Sequence, residues 1–232
     1  MDDTGHLLAD RHDAGRRLAA GLTHEAGRSD TVVLGLPRGG VVVAFEVARA
    51  LDAPLDVFVV RKLGAPGQDE LAIGAIASGG VRVMNDDVVR ALGVSESQIE
   101  RAAAREQTVL EERERLYRGH AQPLDLRGRQ VIIVDDGLAT GASMRTAVQA
   151  LRRFEPARTV VAVPVAPAET CRSLEEQVDE VVCLMTPAPL YSVGSWYQDF
   201  SQTSDEEVID LLEQAKNFGR GTSGRDSAGR VG

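Results

Sequence analysis

Short runs of β-branched residues alternate with stretches in which apolar positions recur every three or four residues. The runs are Thr31 to Leu36, Leu55 to Val60, Gln130 to Val134, Thr159 to Val163 and Val178 to Met185. They show little polar alternation, the pattern of strands buried on both faces of a parallel sheet. Between them, Ala44, Val47, Ala48 and Leu51 fall at i, i+3, i+4 and i+7, as do Met144, Ala147, Val148 and Leu151, which is the spacing of one helix face. Strand, loop and helix in turn predict an α/β fold, a parallel sheet with helices on both faces. Sheets of this kind bind ligands at the carboxyl ends of their strands.

Three stretches depart from that rhythm. Leu71 to Asn85 reads as a hairpin turning at Gly79-Gly80. Ser95 to Tyr117 reads as a long charged helix opened by a capping box of Ser95 and Gln98. Its apolar residues Ile99, Ala103, Leu110 and Tyr117 form a narrow stripe, suited to an inserted arm or to a subunit contact in a homodimer. Pro187 to Phe200 is an aromatic loop, followed by a helix from Ser204 in which Glu207 completes the cap. Beyond Lys216 a tail rich in Gly, Ser and Arg offers no core residues and reads as flexible.

Composition narrows the classes. The chain has 232 residues, 43% hydrophobic and 26% charged, with a formal net charge of -9. That surplus of acid argues against nucleic-acid or anionic-membrane partners, which call for Lys and Arg. No apolar run approaches a membrane span and the start resembles no signal peptide, so a cytoplasmic location is expected. Cys171 and Cys183 form no CxxC pair and lie near no histidine in sequence. Neither a metal site nor a disulfide is expected from them, and a reducing compartment fits. His6, His12, His24 and His120 lack the spacing of a zinc site and read as surface or satisfied polar residues.

The segment 131–143, VIIVDDGLATGAS, joins a buried strand to two carboxylates, a loop of small residues and a helix start. Gly137, Ala139, Gly141 and Ala142 lack bulk, so backbone N–H groups can close around a phosphate. Thr140 and Ser143 add hydroxyls, and a helix beginning near Ser143 would point its positive end inward. Asp135 and Asp136 sit where the vicinal hydroxyls of a sugar, or a magnesium ion beside them, need acceptors. The chain contains no GxxxxGK[ST] loop and no GxGxxG after a strand, which disfavours ATPases and dinucleotide enzymes.

This loop resembles the PRPP-binding motif of the type I phosphoribosyltransferases. There an acidic pair holds the ribose hydroxyls and the loop that follows holds the 5′-phosphate. The resemblance implies that Asp135, Asp136, Gly137, Leu138, Ala139, Thr140, Gly141, Ala142 and Ser143 bind PRPP, with Mg2+ as cofactor near Asp135 and Asp136. Gly137 stands where the family usually has a hydrophobic residue, which either loosens the loop or admits a closer approach of the sugar. Leu36-Pro37-Arg38-Gly39-Gly40 resembles the family's pyrophosphate loop, with its often cis peptide, and that role falls on Arg38, Gly39 and Gly40. The bland alternative is a glycine turn that merely joins strand to helix.

Arg61-Lys62, followed by Leu63-Gly64-Ala65-Pro66-Gly67-Gln68-Asp69-Glu70, looks like the mobile lid that closes over PRPP. Arg61 and Lys62 would then join Arg38 and Gly39 as catalytic groups; otherwise they are a solvated pair before a hairpin. Trp196 or Tyr197 in the aromatic loop would stack on the acceptor base as part of a hood, or else simply pack that segment onto the sheet. The resemblance spans Thr31 to Phe200 in motif order, extends to a particular bacterial branch of the family, and implies one domain over 1–215. Within it an insertion covers 71–127 and the hood 186–203, with the tail at 216–232. The implied activity is Mg-dependent transfer of the phosphoribosyl group from PRPP to a small-molecule acceptor. The competing implication is a regulator that binds PRPP or a nucleotide without consuming it.

Overall fold

The computed structural model describes residues 7–219. Its main sheet has five parallel strands, β1 (Thr31–Gly35), β2 (Leu55–Val57), β6 (Gln130–Val134), β7 (Arg158–Val165) and β8 (Glu180–Met185), in the order β2-β1-β6-β7-β8. Alternate residues of the apolar runs enter two cores. Val32, Leu34, Val131, Ile133, Val161 and Val163 face α5 (Ala142–Leu151) and α6 (Ala168–Glu175). Val33, Ile132, Val134, Val160 and Ala162 face α1 (Arg11–Gly21) and α2 (Gly39–Leu51). Burial on both sides is why the strands are continuous in Val and Ile. No helix among the described residues is long and apolar enough to cross a membrane.

A second sheet is antiparallel, with β3 (Val60–Ala65), β4 (Gln68–Ala77) and β5 (Val81–Met84) in chain order. The expected hairpin at Gly79-Gly80 is present as the β4–β5 turn. The inserted sheet nevertheless begins at Val60 rather than Leu71, and β2 stops at Val57 rather than running on to Val60. The reason lies in Pro66-Gly67: the Gly/Pro stretch read as a lid is only the tight turn between β3 and β4, and its flanks are ladder-paired, Lys62 with Ala75 and Leu63 with Gly74.

After α3 (Asp86–Leu92), α4 (Glu96–Arg118) starts with the expected capping box of Ser95 and Gln98. Its stripe of Ile99, Ala103, Leu110 and Tyr117 is buried against Leu63, Ile73 and Ile76 of the inserted sheet and Val208 of α7 (Asp205–Ala215). The face expected to be available to a second subunit is thus covered by the chain itself. The cap of α7 forms as expected, Ser204 Oγ accepting from the Glu207 N–H.

Two further expectations fail. Cys171 and Cys183 form a disulfide, because α6 crosses back over the sheet and leads into β8, leaving their Cα atoms 6.8 Å apart. The first residues of the expected tail also pack: Phe218 lies 5.4 Å from Phe45, centroid to centroid. The rest of that tail, 220–232, lies outside the described residues. His12 and His24 are satisfied polar residues, paired with Glu46 and Glu180 at 2.8 and 2.9 Å.

Candidate active site

The register of β1 against β6 builds the site. Gly35 pairs with Val134 at the carboxyl ends of the two strands, and the Leu36 N–H donates to the Val134 carbonyl at 2.9 Å. The segment after β1 therefore runs beside the segment after β6, setting Pro37-Arg38-Gly39-Gly40 against Asp135-Asp136. The Pro37–Arg38 peptide is cis, the form the family resemblance implies. The two glycines are required by contact. A Cβ on Gly39 would lie 2.0 Å from Asp136 Oδ2, and one on Gly40 2.9 Å from the Asp135 Cα.

Asp136 accepts from Arg11 Nε at 2.7 Å, a charge-assisted bond between largely buried groups. Arg11 is held in place twice more, donating to the Ser201 carbonyl at 2.7 Å and lying 3.9 Å from the centre of the Phe200 ring. The Asp136 N–H donates to Asp135 Oδ1 at 2.9 Å. Burial first, and then the neighbouring Asp136 carboxylate, push the Asp135 carboxyl well above the usual carboxylate range, with Arg11 working in the opposite direction. A carboxyl so shifted can donate as well as accept, a match for sugar hydroxyls, which do both.

In the loop beyond, Leu138 is an anchor: its side chain is buried and its N–H donates to the Val165 carbonyl. Ala139, Thr140, Ala142 and Ser143 are exposed. Gly141 caps α5, whose N-terminus opens on the loop. Arg145 donates to the Thr140 carbonyl at 2.7 Å, and Thr170 of α6 to the Ala139 carbonyl at 3.3 Å. The space beside Gly137 belongs to the hood, since a Cβ there would meet Val193 Cγ1 at 2.4 Å. The group that approaches Gly137 closely is the Val193 side chain.

A cavity of about 400 Å³ lies beside Asp135, lined by Pro37, Arg38, Arg61, Asp135 and Ser143, with Arg113 and Tyr117 from α4. Arg61 reaches it from β3 while paired with Glu106 of α4 at 2.8 Å. Lys62 is the next strand residue and so points to the opposite face. Neither lies on a loop, because the expected lid is the β3–β4 hairpin.

The aromatic expectation also changes. Tyr197 is only 6% exposed, donates to the Asp136 carbonyl at 2.5 Å and stacks on Phe200 at 4.8 Å. It has no open face for a base. Trp196 is partly buried among residues packed against the α1–α2 core, which is the packing alternative. The neighbouring Tyr191 is the exposed ring, at 90%.

Sequence reasoning missed Arg11, Arg113, Arg145 and Asp205. The family model for the phosphoribosyl transferase domain matches residues 5–188, and the chain belongs to that family. It is 48% identical over 209 residues to a Mycobacterium tuberculosis protein named "Putative phosphoribosyl transferase Rv0571c" (strain ATCC 25618 / H37Rv), and equally so to its counterpart from strain CDC 1551 / Oshkosh. Those alignments take in 90% of this chain and 47% of each relative, so the chain spans about half the length of the curated relatives it matches. The crystal structure of TT1426 from Thermus thermophilus is similar over 90% of this chain and 98% of that one, with 45% identity and a TM-score of 0.80.

Proposed function

We propose that this protein transfers the 5-phosphoribosyl group of PRPP to a nitrogenous acceptor and releases pyrophosphate. The observation that supports this most is convergence: the Arg38 turn and the acidic pair with its loop follow two adjacent strands, and Arg38, Asp135 and Ser143 line one cavity. In this reading residues 139–143 hold the 5′-phosphate at the start of α5, and Asp135 and Asp136 hold the ribose hydroxyls. Arg38 and Arg61 face the departing pyrophosphate. The transition state is an electron-poor ribosyl cation, so the chain's work is to position the sugar and stabilise the leaving group.

Asp136, beside the raised Asp135 carboxyl, offers a hard carboxylate oxygen of the kind magnesium selects, so the site fits an ion carried in with the substrate's phosphates. Such an ion would supply charge neutralisation for the leaving pyrophosphate. Asp136 then orients the sugar while Arg11 fixes its carboxylate.

The test is pyrophosphate release from PRPP and Mg2+ against a panel of purine, pyrimidine and other nitrogenous acceptors. Release with one acceptor is expected, and the double change Asp135→Asn with Asp136→Asn should reduce it by about a thousandfold or more. Undiminished release in the double variant would overturn the site. Tight PRPP binding without release from any acceptor would point instead to a regulator.

A further inference from the structure

One carboxylate oxygen beside the cavity gathers an unusual set of donors. Asp205 Oδ1, in the first turn of α7, accepts from the Tyr117 hydroxyl at 2.7 Å and from Arg113 Nη1 at 3.1 Å, and lies 3.9 Å from Arg38 Nη1. Arg113 and Tyr117 are four residues apart on α4, hence on one helix face, and they are joined to each other at 2.8 Å. Arg38, Arg113 and Tyr117 all line the cavity. An oxygen that collects two guanidinium groups and a phenol is doing what an oxygen of a phosphate does.

Arg61, the third guanidinium of the same cavity, is also paired with a carboxylate from outside it, Glu106. The three guanidinium groups that line this cavity are therefore each paired with one of the protein's own carboxylates. Burial first, and then the bond to Asp205, push the Tyr117 phenol above its ordinary value, so it meets an anion as a donor.

We propose that Asp205 is an internal stand-in for the pyrophosphate of PRPP: before substrate binds it holds Arg113, Tyr117 and Arg38, and the pyrophosphate takes those donors over on binding. Arg113 and Tyr117 of the inserted helix are thereby further ligands of the leaving group, and Asp205 is a positioning residue that competes with substrate for them. The proposal rests on the PRPP reading above.

The experiment measures calorimetric affinity for three probes, ribose 5-phosphate, inorganic pyrophosphate with Mg2+, and PRPP with Mg2+, alongside thermal melting to confirm folding. Asp205→Asn removes the competing charge. It should bind pyrophosphate and PRPP about three- to tenfold more tightly and leave ribose 5-phosphate unchanged. Arg113→Gln and Tyr117→Phe should weaken pyrophosphate and PRPP by a similar factor, again sparing ribose 5-phosphate.

If Asp205, Arg113 and Tyr117 only tie α4 to α7, these changes will lower the melting temperature without separating pyrophosphate from ribose 5-phosphate, and the proposal falls. Unchanged or weaker pyrophosphate binding in Asp205→Asn would also overturn it. A wild-type protein that binds ribose 5-phosphate but gains nothing from the pyrophosphate of PRPP refutes this proposal and spares the phosphate cradle. Binding of neither sugar phosphate refutes the PRPP reading and this proposal together.

Discussion

The two walls of the cavity are built by different means. On the wall made by β1 and β6, function follows from main chain and missing side chains: a turn directly after β1, two glycines pressed against two carboxylates, and a loop opening on a helix start. On the wall made by β3, α4 and α7, it follows from long side chains, Arg61, Arg113 and Tyr117, reaching in from elements that pack for other reasons. The first wall tolerates almost no change of shape, because its neighbours are backbone and charged atoms in contact. The second can tolerate shape changes but depends on charge. On the proposed function, selection of a phosphorylated sugar would rest on steric fit at one wall and on electrostatics at the other.

Two glycines break the comparison most sharply. Gly39 admits no side chain because Asp136 and Arg11 stand in the way, whereas a Cβ added to Gly67, at the β3–β4 turn, would meet nothing within 4 Å. Gly67 is instead constrained by its φ of +74°. Gly39→Ala should therefore displace the acidic pair, lowering turnover by about a hundredfold and stability by roughly 1–3 kcal/mol. Gly67→Ala should cost about 1 kcal/mol of backbone conformation and leave turnover intact. Steady-state pyrophosphate release and thermal melting of both variants check this. A Gly67→Ala protein as inactive as Gly39→Ala would mean the hairpin shapes the reactive end after all.

The same division explains what could be read from the residues. The β1 and β6 wall is local in sequence: a strand, two acids and a small-residue loop stand within 131–143, and Arg38-Gly39-Gly40 closely follow a strand. The long helix and its capping box were legible for the same reason, since cap and stripe are short-range patterns. Arg11 was not, because its partner Asp136 is 125 residues away and α1 shows few apolar positions besides Ala14, Leu18 and Ala19. Nor was the β3–β4 hairpin, where Gly64 and Pro66-Gly67 carry the composition of a loop while main-chain pairing makes strands. The Cys171–Cys183 bond depended on the path of α6 over the sheet, which spacing alone does not reveal.

The acidic pair carries its own pH signature. The folded-state pKa of Asp135 is raised, so the folded chain keeps this proton to higher pH than the unfolded chain, whose aspartates titrate near about 3.9. Its contribution to stability is fully present below about pH 4 and is lost as pH rises through the folded pKa. Asp135→Asn removes the titration while keeping an acceptor for the Asp136 N–H. Its melting temperature should exceed wild type by a few degrees near neutrality, with the gap closing towards pH 4, even as catalysis is lost. Melts between pH 4 and pH 8 decide it, and a pH-independent difference would show that Asp135 is ionised throughout.

The smallest expected effect concerns Tyr197, a side chain that serves the backbone-built wall. Its buried hydroxyl donates to the Asp136 carbonyl, and burial, followed by Asp136, pushes the phenol up, so it remains a donor. Tyr197→Phe deletes only that donor and keeps the ring against Phe200. Stability should fall by about 1 kcal/mol, and the KM for PRPP should rise about two- to fivefold as Asp136 loosens, while the KM for the acceptor stays unchanged. Had the ring served to stack the acceptor base, phenylalanine would replace it without any change in either constant. A silent Tyr197→Phe variant would show that the hydroxyl does not hold Asp136 in place, and a selective loss of PRPP affinity would tie it to the acidic pair.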